Sequence, residues 1–113
     1  MDEQGFAWIP EGDFVEHFAS GVDPVKARVL SSVQQGLSVS TVDDVMGVPV
    51  WKSHPTWYLV AAHDEAIPPA AERMFAQRMG AQTVEIAAGH LAMVSHPGAV
   101  VELVRSAVEA VGG

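Results

Sequence analysis

The sequence predicts an α/β fold: a short parallel sheet, one βαβ unit, with flanking helices and a helical segment ahead of it. Three observations carry this reading. Thr56-Trp57-Tyr58-Leu59-Val60-Ala61-Ala62 is a short apolar run rich in aromatic and branched residues, bounded by Pro55 and by the polar turn His63-Asp64-Glu65, which is how a buried strand reads. Pro68 and Pro69 open a helix that runs through Met79, and Gly80 supplies a left-handed residue to end it; a missing N–H costs little in a first turn. Thr83-Val84-Glu85-Ile86-Ala87 is a second short strand leading into Gly89-His90. A strand, a helix and a strand in this order make a parallel pair with a right-handed crossover.

The elements ahead of that unit are weaker. Phe6-Ala7-Trp8-Ile9 alternates too briefly to define more than an edge strand or a loop, and Pro10 keeps it there. Asp13 is placed to cap a short helix, Phe14 to Ala19, with Phe14 and Phe18 on one face, and Ser20-Gly21 ends it. Asp23 and Pro24 start a better helix, Val25 to about Gln35, in which Val25, Val29, Leu30 and Val33 recur at helical spacing and Gly36 closes the run. Ser40 to Met46 reads as a further helical turn, followed by an extended link through Gly47, Pro49 and Trp51. Nothing in residues 1–50 looks like a strand able to widen the sheet. After the βαβ unit, Gly98 to Val111 carries Val100, Val101, Leu103, Val104, Ala107, Val108 and Val111 on a broad apolar face that needs a sheet to cover. Parallel strands normally lie buried between helices with further strands beside them. The chain therefore divides into a helical segment, 1–50, and a βαβα part, 51–113, and reads like part of a domain.

Composition narrows the function classes. The chain has 113 residues, 49 % of them hydrophobic and 18 % charged, so it is globular and not disordered. A net charge of −8 with six Lys and Arg argues against nucleic acid and against an anionic membrane surface, since neither a phosphate-tracking stripe nor a basic patch can be assembled. No apolar run approaches the ~20 residues of a membrane-spanning helix, and the first residues lack the basic and apolar regions of a signal peptide. With no Cys there is neither a disulfide frame nor a thiolate metal site, which fits a cytoplasmic protein.

Asp64 and His90 both fall just past the C-terminal ends of the two strands, the rim where open α/β sheets hold their ligands. The stretch from Pro55 to Pro69 resembles the late-strand, acidic-turn segment of α/β-hydrolase-fold proteins, in which a helix-opening Pro follows the Asp by a few residues. Ala88-Gly89-His90-Leu91-Ala92-Met93-Val94-Ser95-His96-Pro97 is similar to the histidine loop of the same family, closest to the branch of small-ester hydrolases of the methylesterase and hydroxynitrile-lyase type. The resemblance covers residues 50–111 well, and residues 5–50 are more loosely similar to the lid that this branch inserts before the acidic strand. It implies a partial α/β-hydrolase fold, the C-terminal half, carrying lid, acid strand, histidine loop and last helix. It also implies that Asp64 is the acidic member of a catalytic triad and His90 its general base, with no cofactor and no metal. The physical ground is general: a serine hydroxyl is a poor nucleophile until an imidazole takes its proton, and a carboxylate orients that imidazole.

The family's nucleophile lies in G-x-S-x-G on a strand-to-helix turn upstream of the lid, and no such motif occurs here. Gly36-Leu37-Ser38-Val39-Ser40 has Ser where the last Gly belongs and follows a helical stretch instead of a strand; Ser20 and Ser95 have no elbow context. The resemblance thus implies a carboxylic-ester hydrolase for small neutral or apolar esters that is silent, or nearly so, on its own. Its serine would come from a separate N-terminal hydrolase half or from a region outside this chain. The alternative is a non-catalytic binding module that reuses the half-fold and associates with itself as a dimer or larger. Self-association is expected either way, because one copy leaves apolar surface uncovered.

Plainer roles compete for single residues. Asp64 can be a turn residue capping the following helix, and His90 a packed loop histidine. His63 next to Asp64 suggests a metal pair, but neighbours on a turn diverge and no third ligand has suitable spacing. Ser95, His96 and Pro97 shape the start of the last helix. Trp51, Trp57 and Tyr58 either line an acyl pocket or pack on the sheet; Met74, Met79 and Met93 fill the core; Asp43 and Asp44 start a solvated helix.

Overall fold

A computed structural model describes residues 1–112. Its centre is the βαβ unit. Strand β3 (Trp57–Ala61) runs parallel to β4 (Gln82–Ile86), in a register that sets Trp57 beside Gln82 and Ala61 beside Ile86. Between them α3 (Pro69–Met79) crosses over and stops at Gly80, whose φ of 62° only glycine adopts without strain. Arg73 of α3 forks onto Glu85 of β4, with Nε donating to Oε2 at 2.9 Å. After β4 the chain makes a short helix α4 (Ala92–Ser95) and then α5 (Pro97–Ala110). The α4 turn is not apparent in the sequence, where four residues before a Pro carry too little periodicity.

The N-terminal segment departs further from expectation. Phe6–Ala7 takes the edge-strand alternative as β1, pairing antiparallel with β2 (Leu37–Ser38), a strand the sequence did not suggest, in a sheet of its own that leaves the parallel pair unwidened. Asp13 is no cap. The first helix, α1 (Glu11–Asp13), starts earlier because Pro10 takes the cap position and its carbonyl accepts from Phe14 N–H at 2.8 Å. The helix then widens into a π-type turn, Phe14–Phe18, closed by Ala19 N–H to Phe14 O at 2.7 Å. Phe14 and Phe18 do share a face, their ring centroids 4.9 Å apart.

Asp23 does cap α2 (Pro24–Ser32), accepting from Lys26 N–H at 3.0 Å. That helix ends at Ser32 instead of near Gln35, because the Gln34 amide leaves the helix to bond both Ile9 N–H and Ile9 O, at 3.0 and 2.8 Å. The Ser40–Met46 turn shrinks to a 3₁₀ turn at Val39–Val42, and a second one forms at Val50–Lys52.

The core is slight. Among the described residues, six of the eight buried apolar residues are alanines, leaving Phe14 and Val60 as the only larger ones. In α5, Val100, Leu103 and Ala107 lean inward and are half-buried, while Val101, Val104 and Val108 face solvent. The accessible surface is 7734 Å², about 1,700 Å² above the roughly 6,000 Å² of a compact monomer of this mass. The radius of gyration, 16.0 Å, likewise exceeds the about 13 Å of a compact chain of this length. Among the described residues no helix is long and apolar enough to cross a membrane.

Candidate active site

Asp64 follows β3 directly. Its N–H returns to Ala61 O at 3.1 Å, which turns the chain, and its Oδ1 accepts from Ala66 and Ile67 N–H at 2.7 and 2.8 Å. These are the bonds of a turn-forming aspartate; the expected helix cap does not form, because α3 has Pro68 at its cap position and no side-chain cap bond. The turn bonds also aim the other oxygen. Oδ2 lies 2.8 Å from Nδ1 of His90. An ionised carboxylate only accepts, so that nitrogen carries the proton and Nε2 is left as the basic atom. The Asp64 side chain is 1 % exposed and that of His90 26 %: a buried acid holds an imidazole that water and a substrate can reach.

His90 is placed by the loop after β4. The backbone holds that loop to the acidic turn through His63 N–H to Ala88 O at 3.0 Å. Phe18 packs against the imidazole with centroids 4.7 Å apart and planes tilted by 52°. Gly89 meets the same segment so closely that a Cβ there would lie 2.3 Å from Ser20 O. The N-terminal segment thus touches the histidine loop at two adjacent residues, and it touches the acidic turn where His17 Nδ1 meets Glu65 Oε2 at 2.6 Å.

A second carboxyl belongs to this cluster and was not among the sequence candidates. Glu72 of α3 is buried, and its Oε2 accepts the Ala61 N–H at 2.7 Å. Burial alone would raise the Asp64 carboxyl, but hydrogen bonds from Glu72, Ile67, His90 and Ala66 outweigh it and hold Asp64 below the usual carboxylate range. Burial pushes Glu72 up, and the neighbouring Asp64 adds to the rise. The two acids are thus driven in opposite directions. The signal in the sequence was a Glu on the same helix stripe as Ala76; these two are the buried positions of α3.

Asp64, Glu72 and His90 each present one ligand atom within 4.8 Å of the others. Those atoms are engaged with one another and with the backbone, so the triple reads as a hydrogen-bonded chain. His63 is not part of this cluster: it joins the histidine loop through its backbone, and Glu72 stands beside Asp64 instead. A cavity of about 300 Å³ opens at the cluster, where Tyr58, Met93 and Val100 join Asp64, Glu72 and His90 in its wall.

The remaining candidates lie elsewhere or are otherwise engaged. Ser38 stands in β2 with its Oγ 2.9 Å from Ser40 Oγ. Ser95 Oγ lies 2.8 Å from Nδ1 of His96. Ser20 has a buried hydroxyl with no partner, beside Gly89. Among the described residues no serine hydroxyl is hydrogen-bonded to His90. Trp51 and Tyr58 line a cleft of about 450 Å³ with Met46, Phe75 and Met79, to which neither Asp64 nor His90 contributes. Met74 and Met93 are 55 % exposed and do not fill a core; Met74 lies two positions from Glu72, on the opposite face of α3.

A family model described as "Alpha/beta hydrolase family" matches residues 2–103. The chain belongs to the α/β hydrolase family. The match runs without interruption across the N-terminal segment and the βαβ unit, so both lie within the α/β hydrolase relationship. No curated protein and no solved structure matches this α/β hydrolase chain.

Proposed function

We propose that this chain carries the acid and base of a carboxylic-ester hydrolase, with Asp64 as the acid and His90 as the general base. The observation that supports this best is the 2.8 Å bond between a buried carboxylate and a part-exposed imidazole. Asp64 orients the ring and stabilises its charged form, and Nε2 of His90 takes a proton from a nucleophile and returns it to the leaving alcohol. The Phe18 ring walls the imidazole with apolar surface, which favours small neutral or apolar esters.

The serine is supplied by a separate N-terminal hydrolase half or by a region outside this chain. Loss of a triad nucleophile costs about 10⁶ in turnover, so the chain alone is silent or nearly so. The test is turnover of a short-chain p-nitrophenyl ester by the purified chain and by His90→Ala. We expect neither to turn over above background. Activity in the wild type that His90→Ala abolishes would show that the chain has a nucleophile of its own, and Ser20, Ser38 and Ser95 would be replaced in turn.

A second reading draws on a different observation, the uncovered apolar surface of α5. It takes the chain as a non-catalytic module that associates with itself. Restoration of ester turnover by an added G-x-S-x-G half favours the first reading; a self-associated chain that no such half activates favours the second.

A further inference from the structure

Glu72 has no part in the reaction just described, yet its surroundings are specific. It and Ala76 are the buried residues of α3, so a carboxyl occupies the inward stripe of that helix where an apolar side chain would cost less. The Ala61 N–H that it accepts belongs to an edge. Ala62 N–H donates to Ile86 O in β4, and successive N–H groups along a strand point to opposite sides. Ala61 N–H therefore points away from β4, toward the side of β3 that has no strand beside it. Glu72 covers it there and stands against Asp64 at the same time.

The Asp64 and Glu72 carboxyls present oxygens within 4.8 Å of each other and both residues are buried, and burial together with a like charge so near disfavours ionising both. The donors decide which one keeps the proton. Asp64 receives three, from Ala66 N–H, Ile67 N–H and His90 Nδ1–H, whereas Glu72 receives one, from Ala61 N–H. The O–H is therefore on Glu72, and Asp64 is the acceptor in reach. The other titratable groups facing this pair are His90, from the loop after β4, and Tyr58, from β3, with Arg73 adjacent on α3 itself.

We propose that Glu72 is a positioning residue for the acid–base pair: it accepts from the end of β3, donates to the Asp64 carboxylate, and so fixes the oxygen that Asp64 presents to His90. The proposal rests on the reading of Asp64 and His90 given above. In this role Glu72 acts through Asp64 and exchanges no proton with the reacting groups.

The test needs no turnover. In the whole chain, with glutamate side-chain carboxyls ¹³C-labelled, infrared and NMR titrations are run on wild type, Glu72→Gln and Glu72→Leu. The Nδ1 proton of His90 is read in parallel as a hydrogen-bonded imidazole resonance. In the wild type one glutamate is expected to stay protonated well above the range where surface carboxyls titrate, and Glu72→Gln is expected to remove that signal alone. Gln keeps an acceptor for Ala61 and a donor for Asp64 and should retain the imidazole resonance. Leu fills the space with neither and should lose it.

A wild type in which every glutamate titrates with the surface carboxyls would overturn the proposal, as would Glu72→Leu with an unchanged imidazole resonance. Zinc that binds the wild type and releases the Glu72 proton would overturn it too. Should Glu72→Leu fail to fold, the wild-type carboxyl titration and Glu72→Gln decide the matter. A wild type without any hydrogen-bonded His90 proton would instead overturn the acid–base reading, and the carboxyl titration would still judge Glu72 separately.

Discussion

His17 and Glu65 join the N-terminal segment to the acidic turn by one exposed ion pair, with His17 Nδ1 2.6 Å from Glu65 Oε2. The hydrogen bond to Glu65 raises the His17 pKa, burial opposes it, and the charges of Glu16, Glu65 and Asp13 add to the rise. A value raised on folding stabilises the folded state fully below the unfolded value of about 6.5 and loses that contribution as pH climbs through the raised value. We expect the melting-temperature difference between wild type and His17→Gln to be larger at about pH 6 than at about pH 8, and to shrink with salt because both side chains are about half exposed. A difference that grows with pH would contradict the assignment. At this scale the meeting of Asp64 and His90 was legible in the sequence, since each ends a strand and parallel neighbours bring those ends together. Glu72 was barely legible: it shares a helix stripe with Ala76, but a Glu is ordinarily placed on the solvent face and only packing shows that this stripe turns inward.

Between elements, the decisive contact is the one that Gly89 makes with the turn at Ser20. A methyl group placed 2.3 Å from a backbone oxygen has no flexible neighbour to yield, so the loop or the turn must move. Gly89→Ala is expected to lower stability by about 1–3 kcal/mol, in the range of an overpacked site, and to separate the Phe18 and His90 rings, a loss of contact seen by NMR. An unchanged melt with the ring contact intact would show that the two segments are not held there. The βαβ unit was legible because several signals agreed on it: an apolar run, helix-opening prolines, and Gly80 in the left-handed conformation it was expected to take. The N-terminal segment was less so. Its two-residue strands carry no periodicity, Pro10 caps where Asp13 was expected to, and α2 stops early for the sake of a Gln34 bond to a residue far away in sequence.

For the molecule as a whole, the excess surface of about 1,700 Å² is about twice the roughly 800 Å² that one partner buries in a standard protein interface, and α5 supplies an apolar part of it. We expect the purified chain at micromolar concentration to sediment as a dimer or larger, or to bind a hydrolase half that completes the sheet. A monomer that melts cooperatively would count against this. The partner's approach is already constrained by a bond described above. Along the open side of β3 the N–H groups of Trp57 and Leu59 are free of β4 by the same alternation, but that of Ala61 is taken by Glu72. A strand laid against β3 can therefore pair as far as Leu59 and no farther. A slip of two residues, the step that keeps every side chain on its proper face, would run into a buried carboxyl. The side chain proposed to steady the acid–base pair would then also be an end stop that sets the register of assembly.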